Sequence, residues 1–393
     1  MQAENTPKGR RAGGLIRDYI GGGEFYSLAL VLCTGGYIWL GTAEKNIGSM
    51  AWLLVAAAFA CSLLELLTFV CWLRLFGGQS FADSLVYALG RAGGRIVLFA
   101  YVLFWLVLAW AALGYITDFW VELRPTEMPL WLYAALFLLT AAAFAVTGEA
   151  ALGRVAMLVV LPALLLVLGN LLLTVFGSDP GNLLPLVYNA HLPLLSVEAA
   201  VLVFGNLCVL LPYLEHAARP ACSVRHLLSA SVTAALLWAC LAMGSLAVLG
   251  ASLALYDFPI LQVFRLAEVG HWLSRFEVIG AVLLEALALI RLSALLTSAL
   301  GGLRSLWGQH TLQRACLIAV GLVAGLLAAF IAGQNNAMAV RLVSGGFGGL
   351  FWLMLIFAVV LPWLVIVGGY MHKRAENRTI VVRSCDYNAK NGR

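Results

Sequence analysis

Three ionisable side chains stand inside runs apolar enough to be membrane helices. Glu65 lies in SLLELLTFV (62–70), and Glu285 and Arg291 lie in LLEALALIRL (283–292). A charge near the bilayer centre costs about 3 kcal/mol on insertion scales, so such a group faces protein, water or a ligand. The three are therefore candidates for proton or ion coupling. For Glu65 a protonated or hydrogen-bonded packing role weighs equally. Glu285 and Arg291 are separated by about 600° of helix rotation, so they point to different sides and are not an i,i+4 ion pair. Either is a possible partner for Glu65 from another helix.

A second kind of chemistry belongs to the backbone. VLCTGGYIWL (31–40) carries Thr34, Gly35 and Gly36 at its centre, and VEAAVLVFGNLCVLLP (197–212) carries Phe204, Gly205 and Asn206, with Pro212 at its end. Glycine pairs in membrane helices most often serve close packing. Here the two breaks coincide: shifted by about 169 residues, Gly36 falls on Gly205, as expected of matching interruptions in two halves. An unwound turn frees N–H and C=O groups that hydrocarbon cannot satisfy. Half-helix N-termini then attract a carboxylate, and freed carbonyls accept an ammonium or a cation. A zwitterionic amino acid suits both, with a sugar or nucleoside as other possibilities.

The elements that must position these groups follow from composition. The chain has 393 residues, is 63% hydrophobic and 11% charged, and has a mean hydropathy of +0.95. Soluble domains carry roughly 25% charged residues. The chain reads as one all-α polytopic membrane domain of about ten spans, 24–370, between tails at 1–23 and 371–393. The spans fall near 24–43, 49–74, 95–119, 129–148, 155–176, 193–214, 227–253, 276–300, 313–333 and 346–370. An odd number of spans per half makes the halves, about 24–176 and 193–370, inverted repeats. Residues 80–92 and 258–272 are amphipathic and lie along the interface or against the bundle.

Orientation comes from lysine and arginine near span ends. With the N-terminus inside, only Lys45, Arg124, Arg265, Arg275 and Arg341 fall outside, while both tails and Arg74, Arg91, Arg95, Arg154, Arg219, Arg225, Arg304 and Arg314 fall inside. Both termini are expected to be cytoplasmic. The net charge of +5 is this bias and needs no nucleic-acid partner. The first apolar run lacks the compact h-region and cleavage site of a signal peptide, so it is expected to be retained. Most cysteines lie within or at the ends of spans and read as small apolar fillers, and no Cys/His cluster suggests a metal. No cofactor is called for. GxSxG, Walker A and HExxH motifs are absent from the sequence, so no enzyme is expected. Glu215 and His216 read as wetted loop residues beyond span 6.

Several segments, in order, carry a family likeness. YDFPILQVFRLAEVGHWLSRFEVI (256–279) has an aromatic-Pro step, an Arg-containing amphipathic helix and an Arg-x-Glu step on Tyr256, Pro259, Leu261, Arg265, Gly270, Arg275 and Glu277. With IGSMAWL (47–53), GQSFADSLVYALGRAGGRI (78–96) and DPGNLLPL (179–186), it resembles the B subunit of spore germinant receptors. The pattern departs where that family usually has an acidic residue near the span 6 break, here Gly205-Asn206. A Trp expected early in span 8 falls near Glu285 instead, and a basic residue further on appears as Arg291.

The resemblance implies the amino acid/polyamine/organocation superfamily and a LeuT-type fold with helices 1 and 6 broken. It also implies a small germinant, often an amino acid, receptor partners of the A and C subunit types, and residence in the inner spore membrane. The ligand would sit between spans 1, 3, 6 and 8. The backbone at Thr34, Gly35, Gly36, Phe204, Gly205 and Asn206 would hold it, while Tyr101 and Trp105 on one face of span 3, with Ala286 and Leu289 of span 8, shape the pocket. For the aromatic pair, ordinary packing is slightly the stronger reading. A secondary H⁺- or Na⁺-coupled amino acid transporter is the alternative, with a degenerate membrane scaffold behind it.

Overall fold

The computed structural model describes residues 19–34, 51–77, 79–123, 129–175, 178–183, 205–217, 220–256, 258–266, 276–307, 312–333 and 349–375. Gly35, Gly36 and Phe204 lie outside them. A bilayer offers the backbone no hydrogen-bond partner, so each apolar run closes its own ladder. Span 1 is Gly22–Thr34, span 2 Ala51–Phe76, span 4 Leu130–Thr147, span 5 Glu149–Val175, span 7 Pro220–Leu249, span 8 Phe276–Trp307 and span 9 Leu312–Gly333. Span 3 lies within Phe81–Leu123 and span 10 within Phe351–Ala375. Among the described residues, seven helices are long and apolar enough to cross a membrane. Spans 5 and 8 run past the expected limits of 155 and 300, because a helix continues through its polar end turns for as long as its backbone bonds close.

Both amphipathic segments pack against the bundle. Phe81–Leu123 is two helices joined at Gly90, whose φ of 77° is open to glycine at little steric cost. The interfacial piece starts with a reciprocal cap. The Ser80 hydroxyl donates to the Asp83 carboxylate at 2.7 Å and accepts the Asp83 N–H at 3.1 Å. The second piece, Pro259–Leu266, buries Pro259, Ile260, Leu261, Val263 and Phe264. The Phe264 ring lies so close to Gly280 of span 8 that a Cβ there would meet it at 2.7 Å.

Span 6 is the exception to the helical rule. Its described part consists of two 3-10 stretches, Gly205–Leu210 and Pro212–His216. Gly205 and Asn206 are weak helix formers, and Pro212 removes a donor. Where span 6 ends it meets the start of span 1, the Ile20 N–H donating to the His216 carbonyl at 2.9 Å.

Span 8 is the axis of the bundle. Two-thirds of its apolar window is buried (67%), against 28–56% for the other long spans. It packs on spans 3, 4 and 5, while span 7 packs on spans 1 and 2. The buried polar groups of span 8, Glu285, Arg291, Ser293, Thr297 and Ser298, are thus turned toward the bundle rather than lipid.

Candidate functional site

A short 3-10 stretch at membrane depth must be held by its neighbours, because it presents groups that a regular α-helix would satisfy internally. Span 8 holds it at three levels. Arg291 donates from a guanidinium nitrogen to the Asn206 side-chain carbonyl at 2.9 Å. The Ser298 hydroxyl donates to the Val209 carbonyl at 3.3 Å, and the Tyr213 hydroxyl donates to the Ala294 carbonyl at 3.1 Å. Arg291 and Asn206 are 1% and 0% exposed, so water does not screen their bond.

Glu65 on span 2 reaches the same place from the other side. It is 3% exposed, and neither carboxylate oxygen has a hydrogen-bond partner. Its electrostatic neighbours include Cys33 at the end of the span 1 helix and Cys208 in the span 6 stretch. Cys33 also feels Arg291. A carboxylate and a guanidinium therefore flank the junction of spans 1 and 6, and they make no hydrogen bond to each other. The expectation that Arg291 could pair with Glu65 gives way to an Arg291–Asn206 bond.

Glu285 points elsewhere, as its angular offset from Arg291 requires. It is buried beside span 3, where the Trp120 indole N–H is the group directed at its carboxylate. Spans 3 and 8 run antiparallel in one register: Trp120 lies by Glu285, Tyr115 by Arg291, and Trp105 by Gly302. Tyr101 and Trp105 are consequently level with the far end of span 8. Trp105 sits about 16 Å along the axis from Arg291 at 1.5 Å per residue.

The two rings form a packed aromatic cluster with Phe81 and Phe357, at centroid separations of 5.2–5.9 Å. The Tyr101 hydroxyl donates to the Phe357 carbonyl at 3.0 Å, within the π-helical turn Leu355–Val360 of span 10. Tyr101 keeps one link to the site through Cys208. The span 3 aromatic at the level of Arg291 is Tyr115.

Thr34, the last described residue of span 1, donates from its hydroxyl to the Leu30 carbonyl at 2.7 Å. It lines a cavity of about 40 Å³ with Leu30, Val160, Trp238, Leu284 and Leu287. From span 8, Leu284 and Leu287 rather than Ala286 and Leu289 border that space; Ala286 and Leu289 are half-buried beside them. A side chain at Gly205 would project toward Met354 and Ala358 of span 10 at 3.5–3.6 Å, so this glycine faces the 6–10 contact. Among the described residues no His/Cys/Asp/Glu group could hold a metal.

Glu215 is exposed, as expected of a wetted residue beyond span 6, but it belongs to the 3-10 stretch Pro212–His216 and has partners. Its carboxylate accepts the Phe81 N–H at 3.3 Å and lies 3.6 Å from His216 Nδ1. This ties the end of span 6 to the start of the interfacial helix. Burial raises the Glu215 carboxyl above its usual range, with His216 and the Phe81 N–H pulling it down. Tyr115, Tyr213, Ser298, Cys33 and Cys208 carried no signal that singled them out in sequence, since each owes its place to a partner far along the chain.

Comparisons with known proteins fit this geometry. The family described as "Spore germination protein" matches residues 31–337. No curated protein matches the chain. Among solved structures, the chain is similar to Mhp1, a nucleobase-cation-symport-1 family transporter in a closed conformation with bromovinylhydantoin bound. The likeness has a TM-score of 0.51 at 13% identity and covers 91% of this chain and 93% of that one. The fold is therefore all-α and LeuT-type, in an integral membrane protein; span 6 leaves the α-helix at Gly205–Leu210, and the break expected in span 1 at Gly35-Gly36 lies outside the described residues.

Proposed function

The chain belongs to the spore germination protein family, and we propose that it is the nutrient-sensing subunit of a germinant receptor. Coarsely, it is a germination protein with a transporter-type fold. The finer reading is that a small zwitterion, an amino acid, binds where spans 1 and 6 are broken and shifts the bundle between two arrangements. A ligand does this only by its different affinity for the two states.

The observation that carries this reading is the placement of Glu65. A buried carboxylate with two unbonded oxygens faces the junction of spans 1 and 6, where Arg291 also reaches. Glu65 is placed for the ligand's ammonium. In this reading the Arg291–Asn206 pair takes its carboxylate, and the backbone at Thr34–Gly36 and Phe204–Gly205, part of it outside the described residues, is proposed to join them. Tyr115 and the apolar wall at Leu284 and Leu287 favour a ligand with a small apolar side chain. Both termini face the cytoplasm in this reading, the membrane is the inner spore membrane, and A- and C-type subunits receive the change.

Glu65 also supports a second reading. The same carboxylate could carry a proton through a secondary amino acid transporter, and the similar solved structure is a transporter of a cation-symport family. Purified protein in liposomes separates the two. The sensing reading expects amino acids to raise the melting temperature by mass action without accumulating inside. Accumulation driven by an imposed H⁺ or Na⁺ gradient would replace it with transport.

A further inference from the structure

We propose that the cleft between the ends of spans 2 and 10 binds an anionic phospholipid, its headgroup held by Arg74, Lys373 and Arg374 and its acyl chain laid along Leu75 and Ile366. The cleft has a volume of about 630 Å³ and is lined by Cys71, Arg74, Leu75, Ile366, Tyr370, Lys373 and Arg374. These residues recur at three- and four-residue spacing, so each helix gives the cleft one face. Its lining is divided. Cys71, Leu75 and Ile366 supply its apolar part, Leu75 standing next to Arg74 in the last turn of span 2, and Arg74, Lys373 and Arg374 supply three cations. None of the three cations has an ion-pair partner among the described residues, and no acid lines the space.

The cleft is built, because glycine fixes the crossing beside it. A Cβ on Gly369 would meet the Phe76 ring at 2.6 Å and Leu75 at 2.8 Å, and one on Gly368 would meet the Ala88 carbonyl at 3.0 Å. Span 10 is therefore pressed against span 2 and the interfacial helix at this level. One turn on, the His372 ring packs edge-on to Tyr87 at 4.8 Å. The turn bearing Lys373 and Arg374 is thus anchored while its cations face open space. Both helix C-termini bring partial negative charge here, which three cations outweigh.

A free phosphate would use the cations and leave the apolar half unfilled, whereas a phospholipid uses both. A basic pocket between span ends on the side richest in lysine and arginine is where anionic lipid is drawn. The proposal is independent of the germinant site.

The test uses the full-length protein in phosphatidylcholine nanodiscs with increasing phosphatidylglycerol, beside an Arg74→Gln/Lys373→Gln/Arg374→Gln variant. A control variant, Arg91→Gln/Arg95→Gln/Arg225→Gln, removes equal charge from exposed positions outside the cleft. Native mass spectrometry counts retained lipid, and melting temperature reports stability. Phosphatidylglycerol should be retained by wild type and control, and at least fivefold less by the cleft variant, which should also lose the lipid-dependent rise in melting temperature. Equal retention by all three proteins would overturn the proposal. A cleft variant destabilised equally in pure phosphatidylcholine and in phosphatidylglycerol would reduce the cations to partners of the helix ends. A full stabilisation of wild type by millimolar glycerol phosphate in phosphatidylcholine would make the occupant a soluble anion.

Discussion

Glu65 and Glu285 are the carboxylates buried among the described residues. Their surroundings differ. Glu65 faces the junction of spans 1 and 6, whose neighbouring groups are Cys33, Cys208 and, beyond Cys33, Arg291. Glu285 sits between two continuous helices, against the Trp120 indole. Burial is thus common to both, while Glu285 alone has a polar side chain, the Trp120 indole, directed at it. What differs is whether the backbone opposite is closed upon itself or open to a ligand. A buried carboxylate alone is weak evidence for a site; one facing an interrupted helix with a cation nearby is better evidence.

The largest effect that tests this contrast is expected from Arg291. Replacing it by Leu removes the guanidinium and its bond to Asn206, and truncating one partner of a buried charged bond costs about 2–5 kcal/mol. Ligand affinity should fall by roughly a hundredfold or more, measured by ligand-induced thermal shift. Glu65→Gln keeps the shape and removes the charge. It should weaken an amino acid by about 10- to 100-fold, the value of a charge-assisted hydrogen bond, with melting temperature without ligand unchanged or raised. Tyr213→Phe and Ser298→Ala each remove one stitch between spans 6 and 8. Each should cost about 1 kcal/mol of stability, seen as a lower melting temperature and a smaller loss of affinity than at Glu65. Glu285→Gln should change affinity less than about threefold, since no ligand contact is assigned to it. An effect as large as that at Glu65 would erase the contrast.

Glu215, outside the spans and with two partners, gives the smallest effect and a sign. Folding raises its carboxyl, chiefly through burial. Its contribution to stability is complete at pH below the unfolded carboxylate range and is lost as pH rises through the raised folded value. Wild type should therefore lose some stability across that interval, and Glu215→Gln should flatten the profile in a pH series of melting curves.

Much of the architecture was legible because hydrocarbon imposes so narrow a choice on the backbone. The apolar runs became the described spans within a few residues at most ends. The run containing Gly205, Asn206 and Pro212 is one place where the described chain leaves the α-helix, because weak propensity and a missing donor act locally. Residues 80–92 and, within 258–272, the described Pro259–Leu266 folded as short amphipathic helices for the same local reason. The side-chain geometry was less legible. Tyr101 and Trp105 share a helix face, as i,i+4 spacing demands, but the register of span 3 against span 8 sets their level, and that depends on packing along two whole helices. The cradle at Val209, Tyr213, Ala294 and Ser298 joins residues about 80–90 positions apart through bonds that no local pattern announces. Glu215 likewise gained its role from Phe81, far earlier in the chain.

The central claim is that Glu65 and the Arg291–Asn206 pair grip the two charged ends of one small molecule at the interrupted spans. Its most direct measurement is a thermal-shift series on the purified protein with the common amino acids, each compared with its N-acetyl and methyl-ester derivatives, in wild type and Glu65→Gln. At least one free amino acid should raise the wild-type melting temperature by several degrees, its derivatives should not, and Glu65→Gln should lose most of the shift. Stabilisation by sugars or nucleosides alone, or an amino acid shift unchanged in Glu65→Gln, would contradict the account.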